Sequence, residues 1–165
     1  MIVLKIKEVF GDLFDYEDTH DLVHCVSADF KLGAGIALEF NKKYDMAKKL
    51  KEYKEMNDYK KGFESPSCVY IRGVYNLITK DKYFDKHTYE SMRKALEVMK
   101  GMMISFDEEG AMVDIAMPTI GSGLDRLDWF KVKEIIMDVF KDMDITITIV
   151  YDDMLKLKKF KPRGE

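Results

Sequence analysis

The 165-residue chain has few of the residues that build metal or disulfide sites. Its two cysteines, Cys25 and Cys68, lie far apart and share no metal-ligand spacing. Both sit in apolar, strand-like stretches, where buried free thiols are common. The three histidines, His20, His24 and His87, form no ligand pattern either, so no metal site and no cofactor are expected. No apolar run approaches the ~20 residues needed to cross a bilayer, which removes a membrane role from the expectations. Charge of one sign is also lacking. The net charge is −3, with acids and bases spread along the chain, and this gives no broad basic footprint for nucleic acid. Internal repeats, low-complexity segments and linkers are absent from the sequence. A hydrophobic fraction of 47% at this length fits one domain with a proper core. The start, Met1-Ile2-Val3-Leu4-Lys5-Ile6-Lys7, alternates apolar and charged residues and reads as a strand, not a secretion signal. A cytoplasmic location is expected, with a nuclear or virus-encoded intracellular one left open, and the chain is expected to act as a monomer. The basic run Lys156 to Arg163 reads as a solvated tail, so residues 1–155 are assigned to the domain and 156–165 to a basic C-terminal tail.

What is present is alternation. Strands are expected over Ile2–Lys7, Leu22–Val26, Cys68–Arg72, Val74–Thr79, Met112–Met117 and Ile145–Tyr151. Several are near-continuous apolar runs rich in β-branched residues, as in sheets covered on both faces. Helices are expected over Ile36–Tyr44 and Met46–Met56, over a stripe Tyr89, Met92, Leu96, Met99, Met103 after a Thr88 cap, and over a stripe Trp129, Val132, Ile136, Val139, Phe140, Met143 after an Asp128 cap. Leu127 and Val132 hold the positions of a hydrophobic staple. Such stripes are read as core. The pattern predicts an α/β fold, a three-layer α/β/α sandwich around a mixed, mostly parallel sheet. Ligands in such folds bind where strand ends lead into helices, which directs attention to four loops.

Gly11-Asp12-Leu13 follows the first strand, and an acid there could accept hydrogen bonds from an exocyclic amine or simply form a turn. His24 to Ala37 runs from a strand through Gly33-Ala34-Gly35 into a helix. By spacing this is equally a structural turn or a phosphate cradle, without the lysine of a Walker loop or the third glycine of the dinucleotide fingerprint. Leu77-Ile78-Thr79-Lys80 ends an apolar strand on a lysine, either solvent-facing or, if partly desolvated, able to act as an amine nucleophile. Pro118 to Leu127 joins a strand to a capped helix through Gly121-Ser122-Gly123. Asp125 is not needed as the cap, which leaves it either for acid/base work or for a surface ion pair.

Taken together, in this order, these residues resemble the macrodomain family in its terminal ADP-ribose protein glycohydrolase branch, over nearly the whole chain from Gly11 to Tyr151. The branch pattern His-Cys-x-Ser, Gly-Ala-Gly-Ile-Ala, Leu-Ile-Thr-Lys, Pro-Thr-Tyr-Glu and Gly-x-Gly-Leu-Asp-Arg-Leu-x-Trp is met by His24–Ser27, Gly33–Ala37, Leu77–Lys80, His87–Glu90 (with His in place of Pro) and Gly121–Trp129. Bacterial antitoxin macrodomains that strip ADP-ribose from DNA are similar in using a lysine at the corresponding place. The resemblance implies a hydrolase that binds ADP-ribose. In that reading Asp12 holds the adenine amine with Leu13 beside the ring. Gly33, Ala34, Gly35 and Ile36 line the diphosphate, and Thr119, Gly121, Ser122, Gly123 and Leu124 close over it. Ser27 and Asp29 lie near the distal ribose. Lys80 attacks the anomeric carbon of the opened sugar, and Asp125 is the general acid/base. The Asn-Ala-Ala-Asn segment of many macrodomain hydrolases is replaced by Val26-Ser27-Ala28-Asp29 with a shortened loop, which favours the lysine route over substrate-assisted water attack. The implied partner is ADP-ribose or an ADP-ribosylated substrate: a carboxylate ester, O-acetyl-ADP-ribose or, as the one form of nucleic acid, a modified nucleobase. Two alternatives stay open. One is a phosphatase acting on ADP-ribose 1″-phosphate, weakly disfavoured by the lack of a histidine in the matched loops. The other is a non-catalytic ADP-ribose reader, which would not need Lys80.

Overall fold

The expected strands pair into one sheet. A computed structural model describes residues 3–57, 63–123 and 126–160. Its strands are β1 (Leu4–Phe10), β2 (Asp21–Ser27), β3 (Ser67–Ile71), β4 (Val74–Lys80), β5 (Ile115–Met117) and β6 (Ile145–Tyr151), in the order β1-β6-β5-β2-β4-β3. Neighbours from β1 to β4 run parallel, and β3 joins β4 antiparallel through Arg72-Gly73, both at positive φ as a two-residue hairpin turn requires. The mixed, mostly parallel sheet agrees with the expectation.

Side chains of successive strand residues point to opposite faces, and the burial follows. On one face Leu22, Val26 and Ile78 pack with Phe40, Met46 and Leu50 of α1 (Gly35–Tyr44) and α2 (Met46–Met56). On the other, Val23, Leu77 and Ile147 pack with Met92, Leu96, Met99, Ile136 and Phe140 of α3 (Tyr89–Glu108) and α4 (Trp129–Phe140). The result is a three-layer sandwich. Thr88 forms a capping box with Ser91, and Asp128 accepts the Phe130 N–H, so both expected caps are in place.

The structure corrects some boundaries. Ile2 lies outside the described residues, and β1 runs on to Phe10. β5 starts three residues late, because Asp114 serves as a staple, its carbonyl accepting Asp21 N–H and its carboxylate Thr146 N–H. A 3-10 turn over Leu13–Tyr16 was not expected; Asp12 caps it through Phe14 N–H at 2.9 Å. The tail expectation also needs correction. Residues Met154–Phe160 form a helix, α5, so the boundary at 155 falls inside an element. Asp153 accepts the Leu155 N–H at 2.8 Å, and Leu157 packs half-buried against the core. Residues 161–165 lie outside the described residues.

Candidate active site

The carboxyl ends of β1, β2, β4, β5 and β6 and the loops that leave them enclose two adjoining cavities, of about 590 and about 900 Å3, which share Cys25, Ala34, Ala37 and His87. They form one trench. This is the place that parallel topology favours for a ligand.

Three loops wall the first cavity. Gly11, Asp12 and Leu13 follow β1, with Gly11 N–H bonded to the Tyr151 carbonyl at 2.9 Å. Asp12 therefore has a dual part: one carboxylate oxygen caps the 3-10 turn while the residue faces the cavity. Ala34, Gly35 and Ile36 form the opposite wall at the start of α1. No side chain caps that helix, so its first N–H groups remain for a ligand, and their dipole favours an anion. Thr119, Gly121 and Gly123 supply the third wall. Gly121 sits at φ +73°, and a β-carbon there would meet Met92 Cε at 2.8 Å and Leu127 Cδ1 at 3.1 Å. The loop also closes on itself through Leu127 N–H to Gly121 O at 2.8 Å. Ser122 does not line either cavity; its hydroxyl donates to the Thr119 carbonyl at 2.7 Å, so it shapes the loop.

The second cavity holds Lys80, half-buried at the end of β4. The β2–β4 register shifts between Val26 and Ser27, so that Ser27 comes opposite Lys80, and Ala28 N–H then bonds the Lys80 carbonyl at 2.9 Å. Ser27 lines this cavity, as do Gly33 and Ala34. Asp29 does not. Its carboxylate accepts Ser27 Oγ–H at 2.5 Å, Tyr83 N–H at 2.9 Å and Lys31 N–H at 3.3 Å. Burial pushes its pKa up, but those hydrogen bonds and the Lys31 charge outweigh it and hold the carboxyl below its ordinary value. Asp29 thus ties the 27–31 loop to the turn after β4. The loop carries Phe30 and Leu32 at φ +52° and +44°, both buried, conformations that cost energy and are held by their packing. Leu124 and Asp125 lie outside the described residues; of their described neighbours, Gly123 lines the first cavity and Arg126 the second.

Sequence reasoning missed several lining residues. Cys25 is half-buried and faces both cavities, not sealed in the core as Cys68 is. His87, 6% exposed, lines both cavities and is hydrogen-bonded through Nδ1 to Thr79 Oγ1. Asp152 and Lys156 border the first cavity, and Lys31, Tyr83, Phe84, Lys86 and Arg126 the second. Cys25, Lys31, His87 and Arg126 fall inside the loops and motifs quoted from the sequence without a role being given to them there, whereas Tyr83, Phe84, Lys86, Asp152 and Lys156 are brought in by tertiary packing.

No protein-family model matches the chain. It is similar to ADP-ribose glycohydrolase OARD1 of Bos taurus, with 42% identity over 146 residues, covering 88% of this chain and 90% of the relative. Among solved structures, the macrodomain of Thermus aquaticus DarG superposes with a TM-score of 0.70 at 22% identity, covering 92% of this chain and all of the other. Thermosipho africanus DarTG in complex with ADP-ribose superposes with a TM-score of 0.67 at 15% identity, covering 87% of this chain and 41% of that one. The fold is therefore that of a macrodomain, and by sequence the chain belongs to the ADP-ribose glycohydrolase OARD1 family.

Proposed function

We propose that this chain is an ADP-ribosyl hydrolase that removes ADP-ribose from modified acceptors. The observation that carries the reading is the half-buried Lys80 at one end of a trench whose other end holds Asp12, with two glycine-bearing loops between them. Adenine occupies the first cavity against Asp12 and Leu13. The diphosphate lies between the uncapped start of α1 and the Gly121–Gly123 loop, where backbone N–H groups meet its charge. The distal ribose reaches Ser27 and Lys80. The kinship with an ADP-ribose glycohydrolase supports ADP-ribose as the ligand, as does the match to part of a DarTG chain solved in complex with ADP-ribose.

The chemistry follows from the amine. Lys80 Nζ bonds to C1″ of the opened sugar as the acceptor's bond to that carbon breaks; the amine loses a proton and the acceptor gains one, with Asp125 as the relay. Water then adds to C1″ as the Nζ–C1″ bond breaks, a proton of the water passes to Nζ, and free ADP-ribose leaves. The substrate is a carboxylate ester, O-acetyl-ADP-ribose or a modified nucleobase, and the chain acts as a monomer. Lys80→Ala and Asp125→Ala are expected to lower release from an ADP-ribosylated carboxylate ester at least a hundredfold, while calorimetry finds ADP-ribose still bound. Full turnover in both variants rules this route out.

A phosphatase reading regains weight from one observation. The lack of a histidine in the matched loops was an argument against it, and His87 lines both cavities. Phosphate release from ADP-ribose 1″-phosphate, measured beside ester hydrolysis, separates the two bonds.

A further inference from the structure

Among the described residues, Cys25, Ala34, Ala37 and His87 line both cavities, so they mark the passage from one to the other. His87 is the nitrogen base of that group, and the hydrolysis as written gives it no part. The branch pattern has proline at this place, so the imidazole is a feature of this chain. The ring is 6% exposed and is bonded through Nδ1 to Thr79 Oγ1, a buried hydroxyl one residue before Lys80 on β4. On its C-terminal side the backbone is fixed by the α3 capping box, in which Thr88 N–H donates to Ser91 Oγ at 3.1 Å.

A hydroxyl permits what other anchors would not. Thr79 Oγ1 can donate its proton to a bare Nδ1 or accept from Nδ1–H, so the bond suits either protonation state of the ring. A carboxylate in that place would favour the charged form. Thr79 leaves the choice to whatever lies in the trench. The charged groups that face the passage are unequal in number. On the walls of the second cavity Lys31, Lys80, Lys86 and Arg126 stand against the carboxylate of Asp85, with Tyr83 and Cys25 as further titratable groups. Asp12, Asp152 and Lys156 face it from the first cavity, and Glu90, in the first turn of α3, is paired with Lys94 at 2.9 Å. Charge on a buried side chain is costly without a partner, and a diphosphate supplies two negative charges.

We infer that His87 is a ligand contact that takes up a proton as the diphosphate binds, so that ADP-ribose is captured more tightly on the acid side of neutrality. The inference rests on the hydrolase reading, which lays the diphosphate along the start of α1, where Ala34 and Ala37 share the passage with His87. Neutral imidazole, the anionic ligand and one proton from solvent combine into an imidazolium–diphosphate pair, and release of ADP-ribose gives the proton back. By linkage, a ligand that binds together with a proton binds more tightly as protons become more abundant. Histidine is the side chain whose charge changes across this range.

Calorimetric titration with ADP-ribose at about pH 6 and about pH 8, in pairs of buffers that differ in ionisation heat, reads both the affinity and the protons taken up. The wild-type Kd is expected to rise about threefold or more between the two, with net proton uptake on binding. His87→Gln can still bond to Thr79 and cannot titrate, and His87→Pro installs the residue of the branch pattern. Both should bind as the wild type does on the alkaline side and lose the acid-side gain together with the uptake; either suffices should the other fail to fold. Lys80→Ala, in which no adduct with the sugar can form, should keep both. Equal wild-type affinity at the two pH values overturns the inference, as does an uptake that persists in the His87 variants and so belongs to Asp12, Cys25 or Asp125. Variants weakened by one factor at both pH values overturn it too, as does an uptake lost with Lys80. In each of these cases ADP-ribose is still bound and the hydrolase reading stands; a wild type that binds none at either pH removes both.

Discussion

Gly121 and Gly123 look alike in the sequence, one on each side of Ser122, and the structure separates them. Gly121 occupies a positive φ and has Met92 Cε and Leu127 Cδ1 inside the contact distance of any β-carbon, whereas Gly123 has nothing within 4 Å. Gly121→Ala therefore meets both a left-handed backbone cost and an overlap in the core, about 2–4 kcal/mol together. Gly123→Ala meets neither and should stay within about 1 kcal/mol. Urea unfolding of the two variants checks the contrast, and equal losses would show that the loop adapts to either side chain. The same distinction explains which site residues were legible. Asp12, the Gly33–Ile36 segment and Lys80 follow from a rule about strand ends that needs no coordinates, and all line the trench. Asp29 and Ser122 have the right chemistry in the right loops. Their oxygens are engaged by Ser27, Tyr83 and Thr119, and partners such as Tyr83, more than fifty residues away in sequence, cannot be read from local spacing.

At the scale of elements, periodicity located the six strands and the first four helices because each has a face or two to bury. It failed where burial is slight. Among the described side chains of α5, Leu157 alone is half-buried, beside exposed charged and apolar neighbours, so the stretch reads as a tail in sequence although Asp153 caps it. The sequence also hid how α4 is attached. Its first residue, Trp129, donates Nε1–H to Tyr151 Oη at 2.9 Å, and Tyr151 donates to Glu8 Oε1 at 2.8 Å, an oxygen that Lys133 Nζ also reaches at 2.6 Å. These bonds tie the helix that follows the Gly121–Asp128 loop to β6 and β1, on both sides of the first cavity. Tyr151→Phe keeps the ring and removes the hub, leaving the buried Trp129 N–H without its acceptor. The expected loss is about 1–3 kcal/mol in unfolding free energy, without change of fold by circular dichroism. A variant as stable as wild type would mean that water or a rearranged Glu8 takes the hydroxyl's place.

For the molecule as a whole, the three-layer design has a consequence for its response to acid. His24 on β2 is covered by α1 and is fully buried, its ring stacked on Phe40 at 3.8 Å. Nε2 is 2.6 Å from Asn76 Oδ1 on β4, while Asn76 Nδ2–H donates to the Val69 carbonyl at 3.1 Å on β3, so Nε2 carries the proton and Nδ1 has no hydrogen-bond partner among the described residues. Burial lowers the His24 pKa to about 4, a fall that the Asn76 bond opposes but does not reverse. The unfolded chain takes up a proton there near the ordinary value of 6.5. Between these values the unfolded state binds more protons than the folded one, so stability is present above pH 6.5 and is lost as pH falls toward 4, at up to about 1.4 kcal/mol per unit. Asp29, Asp138 and Asp142, held below the ordinary 3.8, contribute losses at lower pH, and Asp21, raised by burial despite its bond from Tyr70, works in the opposite direction. The slope across the upper part of the window therefore belongs in large measure to His24. His24→Gln retains an amide donor toward Asn76 and cannot titrate. Denaturant unfolding at a series of pH values should find wild-type stability falling from pH 6.5 to 4.5 and the variant's curve flatter over the same range. Parallel curves would mean that the sheet admits a proton and its hydration to His24, and that the helical layer does not seal it.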